Sequence, residues 1–162
     1  MSSDRRGELV REVRLAVQAF QDSTDAFDEA AAARLGINRT DLRCLSVIAA
    51  RGLVAVGEIA RAISLTRGAA TTALDRIERK GYARRVRDPN DRRGVLMEMT
   101  DKARADAGAI WAPVVSAGER MIEGYTEAEL ETVLRYLREA RSVQLENLPQ
   151  STAGELQLAA DR

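Results

Sequence analysis

The chain has 162 residues, 45% apolar and 31% charged, which is enough for one compact domain with appended helices and too apolar for disorder. It has no histidine and a single cysteine, Cys44, so the commonest general base and transition-metal ligand is missing and no intrachain disulfide can form. Basic and acidic residues balance at 25 each, and neither a secretory signal nor a bilayer-spanning apolar run is present, so we expect a soluble cytoplasmic protein with no membrane partner, no metal and no cofactor.

The first half of the chain carries a helical pattern of apolar residues that glycine interrupts. Leu9, Val13 and Val17 begin a stripe that recurs at steps of three to four residues, as expected for a long amphipathic helix. Gly36 and Gly52 each follow such a stripe and are expected to end the helix before them. The predicted helices run from the N-terminal segment to 35–36, from residue 38 or 40 to 51–52, over 58–63, and from a Thr66 cap to residue 80.

After Gly81 the pattern becomes extended and then returns to helix. Residues 82–87 and 95–100 are predicted strands, and the turn-forming segment 88–94 between them predicts a β-hairpin with a charged loop. Helical spacing resumes at Thr100 and contains Pro113, which is expected to kink the helix. A capping-box pattern at 126–129 opens a last helix, and residues 149–162 are a predicted loose tail.

Charge is segregated along the chain despite the balanced total. Residues 64–96 hold nine basic and four acidic side chains, a local net charge of +5. Residues 123–162 hold four basic and eight acidic side chains. A positive middle with acidic flanks is typical of a protein with one face toward a polyanion, although an ordinary solvated surface is the simpler alternative.

The helices 58–63 and 66–80 have the spacing of a helix-turn-helix. Ile59 and Ile63 on the first are expected to pack against Ala70 and Leu74 on the second. The second helix then presents small side chains, hydroxyls and cations, which suit contacts with base edges and phosphates. The predicted DNA contacts on this helix are Thr66, Arg67, Gly68, Ala69, Thr71, Thr72 and Arg76.

The hairpin loop is the second predicted DNA-binding element. Asp91 and Arg93 lie two residues apart, close enough for the carboxylate to hold the guanidinium in a fixed direction. A protruding, oriented arginine suits the narrow minor groove of A·T-rich DNA, whereas a plain surface salt bridge is the alternative. The predicted contacts from the hairpin are Arg84, Arg85, Arg87, Asp91, Arg92 and Arg93.

These segments resemble the MarR family of bacterial transcriptional regulators over about residues 5–146. The matching motifs are Glu58-Ile59-Ala60, Leu65-Thr66, Leu74-Asp75-Arg76-Ile77-Glu78-Arg79-Lys80-Gly81, Arg84-Arg85, Asp88-Pro89-Asn90-Asp91-Arg92-Arg93-Gly94 and Met99-Thr100. The chain differs from the family pattern at Ser64, where glycine is usual, at Ala55, where a capping Ser or Thr is common, and at the small residues Gly68 and Ala70.

The resemblance implies a mainly α fold with a small β-hairpin wing, a winged helix-turn-helix combined with a helical dimerisation domain. Residues 1–36 and 101–148 are the expected dimerisation domain, 37–100 the DNA-binding domain and 149–162 a flexible tail. The apolar helices at both chain ends also favour a homodimer over a monomeric bundle, since a groove-reading module gains from two-fold symmetry. The resemblance implies a repressor on a pseudo-palindromic double-stranded DNA operator, with Arg93 in the minor groove.

A small aromatic or anionic effector is also implied, bound between the dimerisation helices and the winged domain. Phe20 and Trp111 are candidate pocket walls, although a core role is the simpler alternative for Trp111. Cys44 is a candidate redox sensor but lies on a mostly apolar helix, where burial is expected to raise its pKa and reduce its reactivity. A redox sensor and a protein-interaction module without DNA binding therefore stay open as alternatives, and an enzyme is not expected.

Overall fold

The computed structural model describes residues 3–89, 91 and 94–148. Within these residues the helices and strands follow in this order: α1 (Ser3–Leu35), α2 (Arg39–Arg51), β1 (Val54–Ala55), α3 (Val56–Ala62), α4 (Arg67–Arg79), β2 (Ala83–Arg87), β3 (Val95–Met99), α5 (Asp101–Ile122) and α6 (Glu127–Glu146). The predicted mainly helical fold with a β-hairpin is confirmed. None of the described helices combines the length and the apolar character needed to cross a bilayer.

The first two helices meet at the glycine elbow that the sequence predicts. Gly36 lies just after α1 with φ +66°, in the left-handed region that favours glycine. Asn38 caps α2: its side chain accepts from the Asp41 N–H at 2.9 Å, and its own N–H donates to the Asp41 carboxylate at 3.5 Å. Of the two predicted starts of this helix, the structure therefore selects residue 38 as the cap.

The helix-turn-helix forms as predicted around a fully buried pair, Ile59 of α3 and Leu74 of α4. The Thr66 side chain accepts from the Ala69 N–H at 3.2 Å and so caps α4. Helix α3 begins at Val56, two residues before its predicted start. These contacts leave the opposite face of α4 toward solvent.

The sheet contains one strand that the sequence pattern did not predict. Its antiparallel order is β1-β3-β2, with β3 in the centre. Met97 of β3 is fully buried and aligns with Val54 of β1 on one side and Arg85 of β2 on the other. The two-residue strand β1 therefore closes the sheet over the core, and the predicted hairpin of β2 and β3 forms beside it.

The last two helices both have N-terminal caps, of which the sequence predicts the second, but they bury almost nothing. Thr100 caps α5, which continues through Pro113, and Thr126 caps α6 in a capping box with Glu129. Ala103 is the buried residue of α5, and α6 has none. The hydrophobic core therefore lies among α2, α3, α4, the sheet and the end of α1, where Leu35 is buried.

Candidate nucleic-acid interface

The solvent-facing surface of α4 is built from short side chains. Gly68 and Ala69 are exposed, and a Cβ added to Gly68 would meet no atom within 4 Å. The buried face of the same helix includes Ala70 and Leu74, which fix the helix against α3. A rigid helix with so little side-chain bulk on its outer surface permits close approach of its backbone to a ligand.

Hydroxyl groups on this surface are oriented by their own helix. The Thr71 hydroxyl donates to the Arg67 carbonyl at 2.9 Å, and the Thr72 hydroxyl donates to the Gly68 carbonyl at 3.1 Å. Each oxygen keeps lone pairs toward solvent, so both threonines present acceptors of the kind that adenine and cytosine amino groups recognise.

Arg67 and Arg87 are the exposed arginines among the described predicted contacts that form no ion pair with another described residue. Arg67 opens α4, and Arg87 ends β2 at the base of the hairpin loop. A guanidinium without a carboxylate partner keeps all five donors for phosphate or guanine. These two arginines are therefore the described predicted contacts most ready to bind an anion.

Arg76 was predicted to contact DNA, and the structure places its guanidinium against a buried carboxylate. Its Nη2 donates to Asp41 Oδ1 at 2.6 Å, and its Nε lies 3.1 Å from both Asp41 carboxylate oxygens. The Asp41 side chain is only 3% exposed, and its hydrogen bond raises the pKa of Arg76 above the ordinary value. Asp41 was not among the predicted site residues, although its position on the stripe of Cys44, Leu45 and Ile48 was a usable signal of burial.

Two further predicted contacts on the hairpin are also bound by carboxylates. The Arg84 Nε donates to Glu98 Oε2 on the adjacent strand at 2.7 Å. The Arg85 guanidinium binds Asp75 at 2.5 Å and also binds Glu78, both on α4. These hydrogen bonds raise the pKa of Arg84 and of Arg85, with Glu98 and Asp75 as the respective largest causes.

The hairpin loop is closed by backbone hydrogen bonds at its base. The Asp88 N–H donates to the Gly94 carbonyl at 3.0 Å, and the Gly94 N–H donates to the Asp91 carbonyl at 2.9 Å. Asp91 is exposed at the tip. Arg92 and Arg93 lie outside the described residues, so the predicted Asp91–Arg93 pairing stays a prediction.

A separate apolar groove of about 450 Å³ lies between α2 and α5. Its lining residues are Leu42, Leu45, Ser46, Ala49, Ala50, Met99, Ala107, Gly108 and Trp111. Trp111 is therefore a wall of this groove, and its ring packs edge-on against Phe27 with centroids 5.7 Å apart. Phe20 does not line the groove, and its side chain is 69% exposed. The aromatic residue of α1 that contacts Trp111 is Phe27, which was not among the predicted pocket residues.

Cys44 is fully buried in the core. Burial, followed by the nearby charge of Asp41, raises the pKa of its thiol to about 11. A thiolate is the reactive species, so this environment gives an unreactive cysteine. No cluster of three or more potential metal-ligating side chains occurs in the part of the chain that the structure describes.

The chain is similar to proteins of a known family. A sequence model of the MarR family matches residues 35–94. The HTH-type transcriptional regulator YcgE of Bacillus subtilis is 31% identical over 138 residues, which cover 83% of this chain and 90% of YcgE. The chain belongs to the MarR family. MarR-family proteins are transcriptional regulators with a DNA-binding winged helix, and they are not enzymes.

Solved structures of MarR-family proteins share the fold. FabT of Streptococcus pneumoniae, solved in complex with DNA, is 24% identical to this chain, with a TM-score of 0.64. The match covers 85% of this chain and 99% of FabT. Wild-type MarR of E. coli in its apo form is also 24% identical, with a TM-score of 0.57 and coverage of 77% of this chain and 93% of that protein. Both likenesses cover more of the chain than residues 35–94.

Proposed function

We propose that this MarR-family chain is a homodimeric repressor that binds a pseudo-palindromic operator and is released by a small molecule. The observation that carries the proposal is the outer surface of α4, where Gly68, Ala69, Thr71 and Thr72 lie together with the unpaired Arg67. Such a surface can enter the major groove with its hydroxyls at the base edges and Arg67 on a phosphate or guanine. The hairpin beside it then reaches the minor groove.

The exposed apolar surface of the outer helices supports the dimer. Helix α6 has 20 residues and none is buried, yet Leu134 is 46% exposed and Leu137 is 55% exposed. An isolated helix of this length draws most of its stability from packing its apolar face. Val115 and Met121 of α5 are similarly exposed, so α5 and α6 together provide a surface that a second copy would cover. We therefore assign α1, α5 and α6 to the dimerisation domain.

Fluorescence anisotropy with a labelled duplex from the upstream region of the gene tests DNA binding. We expect tight binding to this duplex, weaker binding to random duplex, and a steep fall in log affinity with log salt concentration. Arg67→Ala should weaken binding roughly tenfold, or about 1.4 kcal/mol. We expect the same effect from Arg93→Ala, a contact predicted from the sequence. Arg11→Ala is the matched control, because Arg11 lies 24 residues before the buried end of α1, about 36 Å along a helix that rises 1.5 Å per residue.

An absence of duplex binding by the wild-type protein would refute the DNA-binding proposal and favour a protein-interaction module. Sedimentation of the wild type and of Leu134→Glu tests the dimer separately. The wild type should sediment as a dimer, and the variant should shift toward monomer and lose operator affinity. A monomeric wild type would refute the dimer.

The groove between α2 and α5 supports an effector site of defined chemistry. Its volume of about 450 Å³ lies in the range of small-molecule sites, and no charged residue lines it. Its polar side chain is Ser46, whose hydroxyl donates to the Leu42 carbonyl at 3.0 Å and can accept a hydrogen bond from a ligand. Of the aromatic and anionic effectors, this lining favours an uncharged aromatic molecule stacked near Trp111, because burial of an unpaired anion is costly.

Trp111 is the sole tryptophan of the chain and reports directly on this groove. We expect neutral aromatic probes such as indole or a phenol to change its emission and to release labelled operator. Gly108→Leu should abolish the emission change while DNA binding stays intact, because the new side chain fills the groove. Ala109→Leu, on the adjacent exposed residue, is the control. Stronger responses to benzoate than to these neutral probes would refute the assignment.

A further inference from the structure

Arg76 joins the recognition helix α4 to the first turn of α2. Its guanidinium makes bonds of 2.6 to 3.1 Å to Asp41, whose carboxylate also receives the Asn38 N–H of the α2 cap. Asp41 is almost completely buried, so it has no access to water that would replace Arg76. Release of Arg76 to a phosphate would leave a buried carboxylate unpaired, which is strongly unfavourable.

Arg85 joins the opposite side of α4 to the hairpin. Its guanidinium binds Asp75 and Glu78, which are three residues apart and so neighbours on one side of the helix. The backbone N–H of Arg85 also donates to Glu78 Oε1 at 3.2 Å. The base of the hairpin is therefore fixed to α4 by three contacts from one residue.

The two sets of contacts lie on opposite sides of the helix axis. Successive residues of an α-helix are rotated by about 100°, so Arg76 and Glu78 project about 160° apart. The buried stripe between them includes Leu74 and Ile77, which are fixed in the core, and the short side chains of Ala70 and Ala73. Core packing therefore resists rotation of α4 about its own axis together with the charged contacts on its two flanks, and loss of either charged contact removes the restraint on one flank. That rotation decides whether Thr72 faces the DNA.

We propose that Arg76 and Arg85 are positioning residues that fix the rotation of α4 relative to α2 and the hairpin, rather than phosphate contacts. The inference rests on the proposed operator binding, and it separates the arginines of this region into two groups. Arg67 binds DNA directly. Arg76 and Arg85 determine how the threonine surface is presented, and so they affect discrimination between operator and random DNA.

Salt dependence distinguishes a positioning arginine from a phosphate contact. The test is the affinity for operator and for random duplex at several salt concentrations. It compares the wild type with Arg76→Gln, Arg85→Gln, Arg67→Gln and the remote control Arg11→Gln. Arg76→Gln should weaken operator binding at least tenfold, leave random-duplex binding within twofold and leave the salt slope unchanged. Arg67→Gln should weaken binding to both duplexes and make the slope shallower by about 1.

Two results would overturn the proposal. An Arg76→Gln protein with a shallower slope and equal losses on both duplexes would make Arg76 a phosphate contact. An Arg76→Gln protein with a lower thermal midpoint but full operator affinity would show that the ion pair between Arg76 and Asp41 contributes to stability and not to DNA binding. For Arg85 the same criteria apply: Arg85→Gln should weaken operator binding with an unchanged salt slope, and equal losses on both duplexes with a shallower slope would make Arg85 a phosphate contact.

Amide hydrogen exchange in the DNA-free protein tests the same contacts without DNA. Arg76→Gln should increase exchange in α4 by at least tenfold while α6 exchanges at the wild-type rate, and equal α4 exchange in both proteins would contradict the proposal. If the wild type binds no duplex, the proposed function fails, and this measurement still decides whether the ion pairs hold α4.

Discussion

The buried thiol of Cys44 makes a quantitative prediction about stability at alkaline pH. Burial raises its pKa from 9.0 to about 11 in the folded protein, whereas the unfolded chain keeps the ordinary value. The folded state therefore holds the thiol proton more tightly than the unfolded state. This stabilisation is fully present below pH 9 and is lost as the pH rises through 11.

The magnitude follows from the difference between the two pKa values. Each unit corresponds to about 1.4 kcal/mol, so the complete loss is about 3 kcal/mol, and about 1.4 kcal/mol of it falls between pH 8 and pH 10. Cys44→Ala removes this titration while it keeps every lysine, tyrosine and arginine. Between pH 8 and pH 10 the wild type should therefore lose about 1.4 kcal/mol of unfolding free energy relative to Cys44→Ala.

Urea unfolding of both proteins at pH 8, 9 and 10 measures the difference. The cavity left by alanine lowers stability equally at each pH, so only the change in the difference matters. Two stability curves that stay parallel from pH 8 to pH 10 would refute the reasoning.

Thiol labelling provides a second measurement of the same pKa. At pH 8 the folded protein should react about a hundredfold more slowly than the urea-unfolded chain, because its thiolate fraction is lower by about that factor. Rapid labelling of the folded protein, or DNA release by peroxide that Cys44→Ala abolishes, would restore the redox-sensor alternative.

Four other substitutions have defined outcomes. Ser64→Gly should raise the unfolding free energy by about 1 kcal/mol, because Ser64 has φ +58°, and Ser64→Ala should give no such gain in the same urea titration. Ala55→Ser should add about 1 kcal/mol through an α3 cap, since Ala55 provides no side-chain acceptor; an unchanged midpoint would show that the added hydroxyl does not reach the helix N–H groups. Gly94→Ala should weaken operator binding severalfold in the anisotropy assay, because its Cβ would lie 2.8 Å from Asp88 Cβ, whereas Gly7→Ala has open space and should bind normally. Phe20→Glu should shift the sedimenting species toward monomer without a change in Trp111 emission, and a stable dimer would remove Phe20 from the interface.

Local rules account for the parts of the fold that the sequence predicts well. Gly36 ends α1, Thr66 caps α4 and Thr126 caps α6, and each of these signals acts over only a few residues. Strand β1 was not predicted because two residues carry no periodic pattern. It exists as a strand through its pairing with Met97 and Leu96, more than 40 positions along the chain.

The aromatic residues of α1 show the limit of periodicity. Phe20 and Phe27 are seven residues apart, so a helix places both on one stripe, and the pattern alone does not say which ring meets Trp111. Phe27 lies near the buried end of α1 and packs on Trp111, whereas Phe20 lies about 10 Å farther along the helix, beyond the core. Position along the helix, set by tertiary contacts, therefore decides which ring is covered by its own chain.

Arginine roles were the least predictable part of the candidate interface, for an electrostatic reason. Arg67 and Arg76 look alike on the exposed flank of one helix, and both were predicted to contact DNA. Their difference depends on Asp41, which lies 35 residues before Arg76 and occupies an apolar stripe where its carboxylate cannot remain hydrated. A buried carboxylate must find a cation, so Asp41 determines the role of Arg76. In a basic segment, each buried acid elsewhere in the chain therefore removes a cation from the set that is free to meet DNA.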